Sequence, residues 1–287
     1  MKRRGFLVLV IALLLAAAIV KGMQRGDDGY GAAEGLIQEI ALRSSGEKLL
    51  ASEEQLYEGD LLLVNGEYPM HPESEAPDVV ELSGRPELTG GAVLLDNDIR
   101  LSRGVALKFA VMAEAAAQEG VNRFMISSGY RDRAEQSRLY KEKGADYALP
   151  AGYSEHNMGL ALDIGSTRGR MADAEEGKWL EQNAARYGFV LRYPADKTDV
   201  TGISFEPWHF RYVGLPHSLI MKRSNLALEE YVELLRDKKA VSTTVDGRSY
   251  EIRYYDSGEI PQLRVPEGRE YALSGDNKGG LILTLYP

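Results

Sequence analysis

Chemistry has few places to be in this chain. It holds no cysteine and four histidines, His71, His156, His209 and His217. Thiolate metal sites, disulfide scaffolds and a cysteine nucleophile are therefore excluded, and any metal must be held by nitrogen and oxygen. Two stretches carry most of the interest: Ser154-Glu155-His156-Asn157-Met158-Gly159-Leu160-Ala161-Leu162-Asp163 and Glu206-Pro207-Trp208-His209-Phe210-Arg211. A hydrolytic zinc site needs three neutral or anionic protein ligands, an open position for water, and a carboxylate to take the water's proton. His156, Asp163 and His209 would supply two nitrogens and one oxygen, with Glu206 beside the ion as the base.

Spacing alone leaves alternatives open. Neither stretch fits a metal-binding helix, because Gly159 interrupts the first and Pro207 disfavours helix at Glu206. Separations of seven and three residues put side chains on opposite faces of a straight strand. A bend at Asn157 to Gly159 and a bulge or turn near Pro207 must then re-aim the polar groups, with Gly159 and Ala161 leaving room. A lone histidine is more often a surface or satisfied core group, and Glu206 by itself reads as an exposed strand end. Asp163, between Leu162 and Ile164, is more telling, since an acid in an apolar strand must have a partner. That partner could be a metal, Arg131 or Arg192.

The elements that would position these residues read as mixed α and β. Val105, Phe109, Met112 and Ala116 share one helical face, and Gly120 stops that helix. Phe124-Met125-Ile126 reads as a short buried strand, 133–143 as a polar helix ended by Gly144, and 160–164 as a strand. Residues 178–187 read as a helix capped by Gly188, and 189–193 as another strand. Further along, 225–238 forms an amphipathic helix with Leu228, Tyr231, Val232 and Leu235 on its apolar side. After it, Tyr250, Ile252 and Tyr254 alternate with charged residues behind the Asp246-Gly247 turn, and 271–273 and 281–285 flank a Gly-rich turn: a small antiparallel β unit. Upstream, Leu61-Leu62-Leu63-Val64 ending at Asn65-Gly66 reads as a strand and turn, and His71 sits in a proline-rich loop.

The 287 residues are 44% hydrophobic, enough for one substantial core and a smaller second one. The net charge is −9 and no basic stripe appears, which argues against a nucleic-acid partner. Lys2, Arg3 and Arg4 precede an unbroken apolar run from Phe6 to Val20, the pattern of a secretory signal or an N-terminal membrane anchor. Residues after 22 would lie outside the cytoplasm, tethered through the Gly- and Asp-rich segment 24–31. The expected chain is thus α+β. A small mixed or antiparallel sheet flanked by helices carries a zinc site, preceded by a membrane segment and followed by a small C-terminal β unit. The divisions are 1–22 (anchor or signal), 23–95 (tether and N-terminal subregion), 96–222 (the domain carrying the candidate zinc site) and 223–287 (helix plus β unit). A single-pass anchor with an extracytoplasmic catalytic domain is expected; a cleaved, secreted form is the alternative.

Between about Leu101 and Leu219 the sequence resembles the VanY-type zinc D-alanyl-D-alanine carboxypeptidases, a family shared with VanX dipeptidases and L,D-carboxypeptidases. Three separated motifs carry the likeness. Ser128-Gly129-Tyr130-Arg131 with Gln136 looks like the first signature. Ser154, His156, Gly159, Ala161 and Asp163 match S-x-H-x-x-G-x-A-x-D. Glu206, Trp208, His209 and Arg211 match E-x-W-H-x-R. The resemblance implies that His156, Asp163 and His209 bind Zn2+, that Glu206 is the general base, and that Arg131 holds the scissile carbonyl oxygen as charge develops. Arg131 could instead pair with Asp132, Glu135 or Asp163. By the same resemblance Ser154 and Gln136 contact substrate, while Tyr153 and Trp208 wall the pocket. Tyr193 and Arg192 could meet the substrate's terminal carboxylate or hold a sheet edge, and His217 reads as structural. The implied activity is zinc-dependent hydrolysis of the D-Ala-D-Ala bond in peptidoglycan stem peptides or lipid-linked precursors, which would remove the target of glycopeptide antibiotics. An L,D-carboxypeptidase, an endopeptidase, or a non-catalytic wall-peptide-binding module are the alternatives.

Overall fold

A computed structural model describes residues 36–42, 46–144 and 148–287, except the side chains of residues 261 and 262. The expected membrane segment and its tether lie outside the described residues, among which no helix is long and apolar enough to cross a membrane.

The strands, in chain order, are β1 (Ile37–Glu39), β2 (Glu47–Lys48), β3 (Val79–Glu81), β4 (Val93–Leu94), β5 (Arg100–Ser102), β6 (Phe124–Ser128) and β7 (Ala161–Ser166). They continue as β8 (Phe189–Leu191), β9 (His209–Tyr212), β10 (Ala240–Val245), β11 (Arg248–Asp256), β12 (Arg264–Val265), β13 (Tyr271–Gly275) and β14 (Gly280–Leu285). Two five-stranded sheets organise them. The first has the order β4-β6-β7-β9-β8, with β4 parallel to β6 and every other pair antiparallel. It is the mixed sheet that the α+β reading expects. The second, β1-β10-β11-β14-β13, is antiparallel throughout. Its outer strand β1 comes from the N-terminal segment, so the tail closes with help from sequence about 200 residues earlier.

Helix α1 (Arg103–Gln118) starts at Ser102, whose Oγ accepts the Val105 N–H at 3.3 Å. Its predicted face is the buried one: Val105, Phe109, Met112 and Ala116 pack with Phe124, Ile126, Leu162, Ile164 and Phe210 from the first sheet. Helix α2 (Arg133–Lys143) opens with a capping box between Asp132 and Glu135 and closes at Gly144. Helix α3 (Glu175–Asn183) tightens into a 3-10 turn, Ala184–Tyr187, before Gly188 at φ 89°. Helix α4 (His217–Ser224) ends at left-handed Asn225, and α5 (Leu228–Lys238) buries Leu228, Tyr231, Val232 and Leu235. The α5 face joins the two sheets, since one cluster holds Val190 of β8 together with Ile252 and Ile282 of the second sheet.

The run Leu61–Val64 departs from expectation. It is buried, yet it belongs to no strand. Its backbone groups are satisfied elsewhere. Leu61 N–H donates to Ser274 Oγ (2.8 Å) and Leu63 N–H to the Asp276 carbonyl (3.2 Å), while the Leu62 and Leu63 carbonyls accept from Arg211 and Asn277 (both 3.0 Å). The turn at Asn65 is present, with its Oδ1 accepting the Glu67 and Tyr68 N–H groups.

Phe109 is fully buried at the centre of the first core. Phe109→Ala should therefore lower unfolding free energy by about 3–5 kcal/mol in urea titrations; a loss under about 1 kcal/mol would contradict this packing.

Candidate active site

The bend required of the first motif is a 3-10 turn, Glu155–Met158, closed by Gly159 at φ 76°. Left-handed backbone there suits glycine, and a side chain would meet the Ser102 backbone and Val79 at 3.4 Å. Asn157 pins the turn. Its Nδ2 donates to the Arg131 carbonyl at 2.6 Å, and its Oδ1 accepts the Gly152 N–H at 2.9 Å. His156 consequently points its Nδ1 at the Gly129 carbonyl, 2.6 Å away. A carbonyl can only accept, so Nδ1 carries the proton and Nε2 keeps its lone pair. Nε2 lies 3.4 Å from Asp163 Oδ1.

Asp163 and His209 are direct partners across β7 and β9, which places both side chains on one face. Ser128 pairs with Asp163 from the other side, after an irregularity in β6 between Ile126 and Ser128. Near Pro207 the expected turn is present: His209 N–H donates to the Glu206 carbonyl and Glu206 N–H to the Tyr193 carbonyl, both at 3.1 Å. His209 Nδ1 then lies 3.1 Å from Asp163 Oδ1 and 3.8 Å from Glu206 Oε2. One ligand atom each from His156, Asp163 and His209 lies within 4.8 Å of the others. Two imidazole nitrogens and a carboxylate oxygen in that space fit a tetrahedral ion with one position left open.

The electrostatics separate the two carboxylates. Burial opposes charge on Asp163, but His156 and His209 outweigh it and hold its pKa far below the usual range. Burial pushes the Glu206 carboxyl up, as does Asp163, with His209 and Arg131 opposing. Burial also disfavours charge on His209, yet its hydrogen bonds to Asp163 and Glu155 lift its pKa to about 9. His156 is pushed down by burial and by Arg131.

Arg131 faces the same cleft, with Nη1 4.0 Å from Asp163 Oδ2. Its Nε donates to Gln136 Oε1 (2.9 Å) and its Nη1 to Ser128 Oγ (2.8 Å). Gln136 does not stand free as a substrate contact. It is 1% exposed, and while its Oε1 holds Arg131, its Nε2 donates to the Leu149 carbonyl at 2.7 Å. Ser154 is buried, Tyr153 half-buried and Trp208 42% exposed. His71 stacks on Tyr57 away from the site. His217 is structural: it bonds to Tyr231 Oη and Thr284 Oγ1, and burial lowers its pKa to about 3.

Sequence reasoning gave no role to Glu155. It is fully buried, and its Oε2 lies 3.4 Å from His209 Nε2. Its Oε1 accepts from Arg192 Nε (2.8 Å) and Arg211 Nη1 (2.9 Å). Burial raises its pKa, but the two guanidiniums outweigh this and keep it ionised. Arg192 in turn donates two bonds to Glu229 of α5, at 2.9 and 2.7 Å, so it is unavailable to a substrate carboxylate. Arg211 reaches the Asp60 and Leu62 carbonyls at 2.9 and 3.0 Å. The one signal in the sequence was a charge placed next to a candidate ligand.

This donor set, with a carboxylate and a guanidinium at its mouth, fits the requirements of a mononuclear metal hydrolase. Residues 98–215 match the family described as VanY: D-alanyl-D-alanine carboxypeptidase. A D-alanyl-D-alanine carboxypeptidase of Enterococcus faecium is 53% identical over 236 residues, covering 82% of this chain and 78% of that protein. Among solved structures, the vancomycin-resistance D,D-dipeptidase VanXYg, in complex with a D-Ala-D-Ala phosphinate analogue, superposes with a TM-score of 0.72 at 29% identity. It covers 85% of this chain and 100% of its own. A mutant VanY D,D-pentapeptidase from the VanB-type cassette, in complex with Zn(II), gives 0.51 at 30% identity over 60% of this chain and 98% of its own. The chain belongs to the VanY-type D-alanyl-D-alanine carboxypeptidases.

Because Glu155 orients His209 through Nε2, Glu155→Gln should weaken metal binding about 10- to 100-fold in a chelator competition. Metal affinity equal to wild type would contradict that role.

Proposed function

We propose that this D,D-carboxypeptidase is zinc-dependent and removes the terminal D-alanine from peptidoglycan stem peptides or their lipid-linked precursors, using His156, Asp163 and His209 as metal ligands. The observation that carries the reading is the convergence of those three residues within 4.8 Å, with Glu206 3.8 Å from His209. A bound divalent ion supplies Lewis acidity, bringing the pKa of a water to roughly 7 and polarising a carbonyl.

The chain's own groups do the rest. Glu206 accepts the proton of the water that attacks the scissile carbonyl carbon. Its raised pKa keeps the carboxyl basic enough to take that proton and acidic enough to return it to the departing amine as the C–N bond breaks. Arg131 offers a fixed cation to the oxygen on which negative charge develops, and Gln136 and Ser128 hold it ready. Ser154, Tyr153 and Trp208 border the substrate. The N-terminal apolar run serves as a single-pass anchor, placing the catalytic unit outside the cytoplasm beside its substrate.

Glu206→Gln should leave zinc bound at one ion per chain while lowering kcat about 100- to 10,000-fold. Unaltered hydrolysis would refute the assigned base and favour a different proton acceptor. His209→Ala should lose the ion by metal analysis. Offered pentapeptide and tetrapeptide stems separately, the enzyme should release D-alanine from the pentapeptide; release from the tetrapeptide alone would identify an L,D-carboxypeptidase instead.

A further inference from the structure

Away from the metal centre, a cavity of about 620 Å³ opens between the two sheets, bordered by β13, β14 and the end of β9. Five tyrosines line it: Tyr187, Tyr212, Tyr250, Tyr271 and Tyr286. No hydroxyl among the five makes a hydrogen bond among the described residues. Five charged residues also line it, Asp60, Lys108, Arg186, Arg248 and Glu270, and their side chains form neither ion pairs nor hydrogen bonds among the described residues. The floor is Gly214. A Cβ there would lie 3.7 Å from the Tyr212 hydroxyl and 3.9 Å from Asp60 Oδ2, so the missing side chain leaves both groups accessible.

One wall is the outer edge of β13, which pairs with no further strand among the described residues. Tyr286 N–H donates to the Glu270 carbonyl at 2.9 Å and Asp276 N–H to the Gly280 carbonyl at 3.0 Å. In an antiparallel pair this phase turns the even-numbered residues of β13 toward β14 and the odd-numbered ones outward. The outward groups at one end are covered, because Gly275 N–H donates to the Glu58 carbonyl (2.8 Å) and Asn277 N–H to the Leu56 carbonyl (3.3 Å). The covering chain then runs past Ser274, whose Oγ accepts the Leu61 N–H at 2.8 Å. Among the described residues, the backbone N–H and C=O groups of Tyr271 and Leu273 along the cavity make no hydrogen bond.

We propose that this cavity binds an N-acetylated saccharide. The exposed Tyr271 ring can accept the apolar C–H face of a pyranose, and the tyrosine hydroxyls and the charged groups of the lining can serve sugar hydroxyls. An N-acetyl group carries one N–H and one C=O, the pair that a two-residue length of free edge can satisfy. A peptide strand, typically about 5–6 residues, would run into the covered end. The wall glycan as the source of this sugar rests on the peptidase reading; the binding itself does not.

The test titrates full-length, zinc-loaded protein in lipid nanodiscs with triacetylchitotriose by calorimetry. Saturable binding is expected, weakened about tenfold or more by Tyr271→Ala and by Arg248→Ala, with cellotriose, which lacks N-acetyl groups, binding at least about tenfold more weakly. Both substituted residues are exposed, so thermal melting close to wild type serves as the fold control. Absence of saturable binding, binding indifferent to both substitutions, cellotriose binding as tightly, or displacement of the trimer by stem pentapeptide would each overturn the proposal. Pentapeptide hydrolysis is followed in the same samples. Trimer binding without hydrolysis counts against the peptidase reading alone, and hydrolysis without trimer binding counts against the cavity alone.

Discussion

The Glu155 carboxylate sits fully buried between Arg192, Arg211 and His209, and the active site is organised around it. Ion pairs of this kind are strongly destabilised by loss of one partner, because the remaining charge is left without solvent. Within this network, Glu155 and Glu229 balance the charges of Arg192 and Arg211. It also reaches in three directions. Glu229 brings in α5, the Asp60 and Leu62 carbonyls bring in the N-terminal segment, and the contact to Nε2 fixes which face His209 turns to the metal position. The flanking segments outside residues 98–215 thus take part in shaping the site.

With His209 Nε2 committed to Glu155 and His156 Nδ1 committed to the Gly129 carbonyl, the two imidazoles present opposite ring nitrogens to Asp163. The neighbouring carboxylates are driven apart in acidity by their surroundings. Asp163, between two imidazoles, stays ionised, the state that the proposed metal ligand requires. Glu206, partly shielded and close to another acid, is held nearer to neutrality, which suits the proton-carrying role proposed for it. Residue type says nothing of this division; position does.

The convergence of His156, Asp163, His209 and Glu206 was legible because a hydrolytic metal site requires particular residue types, and the sequence offers few of them. The bends at Gly159 and Pro207 followed from backbone sterics alone. The face of α1 was equally legible, since Val105, Phe109, Met112 and Ala116 repeat with helical period. Other features left no such mark. Leu61–Val64 is an apolar run of strand length, and periodicity cannot distinguish a strand from a buried extended segment whose partners are distant side chains. The three residues of β1 are too few to show alternation, and their partners lie some 200 positions away. Gln136 and Arg192 sit where a substrate contact is chemically reasonable, and only the three-dimensional pairing shows both committed within the protein.

In the proposed site two imidazoles and one carboxylate, with His209 oriented by Glu155, hold a single divalent ion. X-ray absorption at the zinc edge of the loaded protein tests it most directly. First-sphere distances of about 2.0–2.2 Å are expected, with scattering from two imidazole rings and oxygen for the remainder. A fit requiring three or more imidazoles, or none, would contradict it.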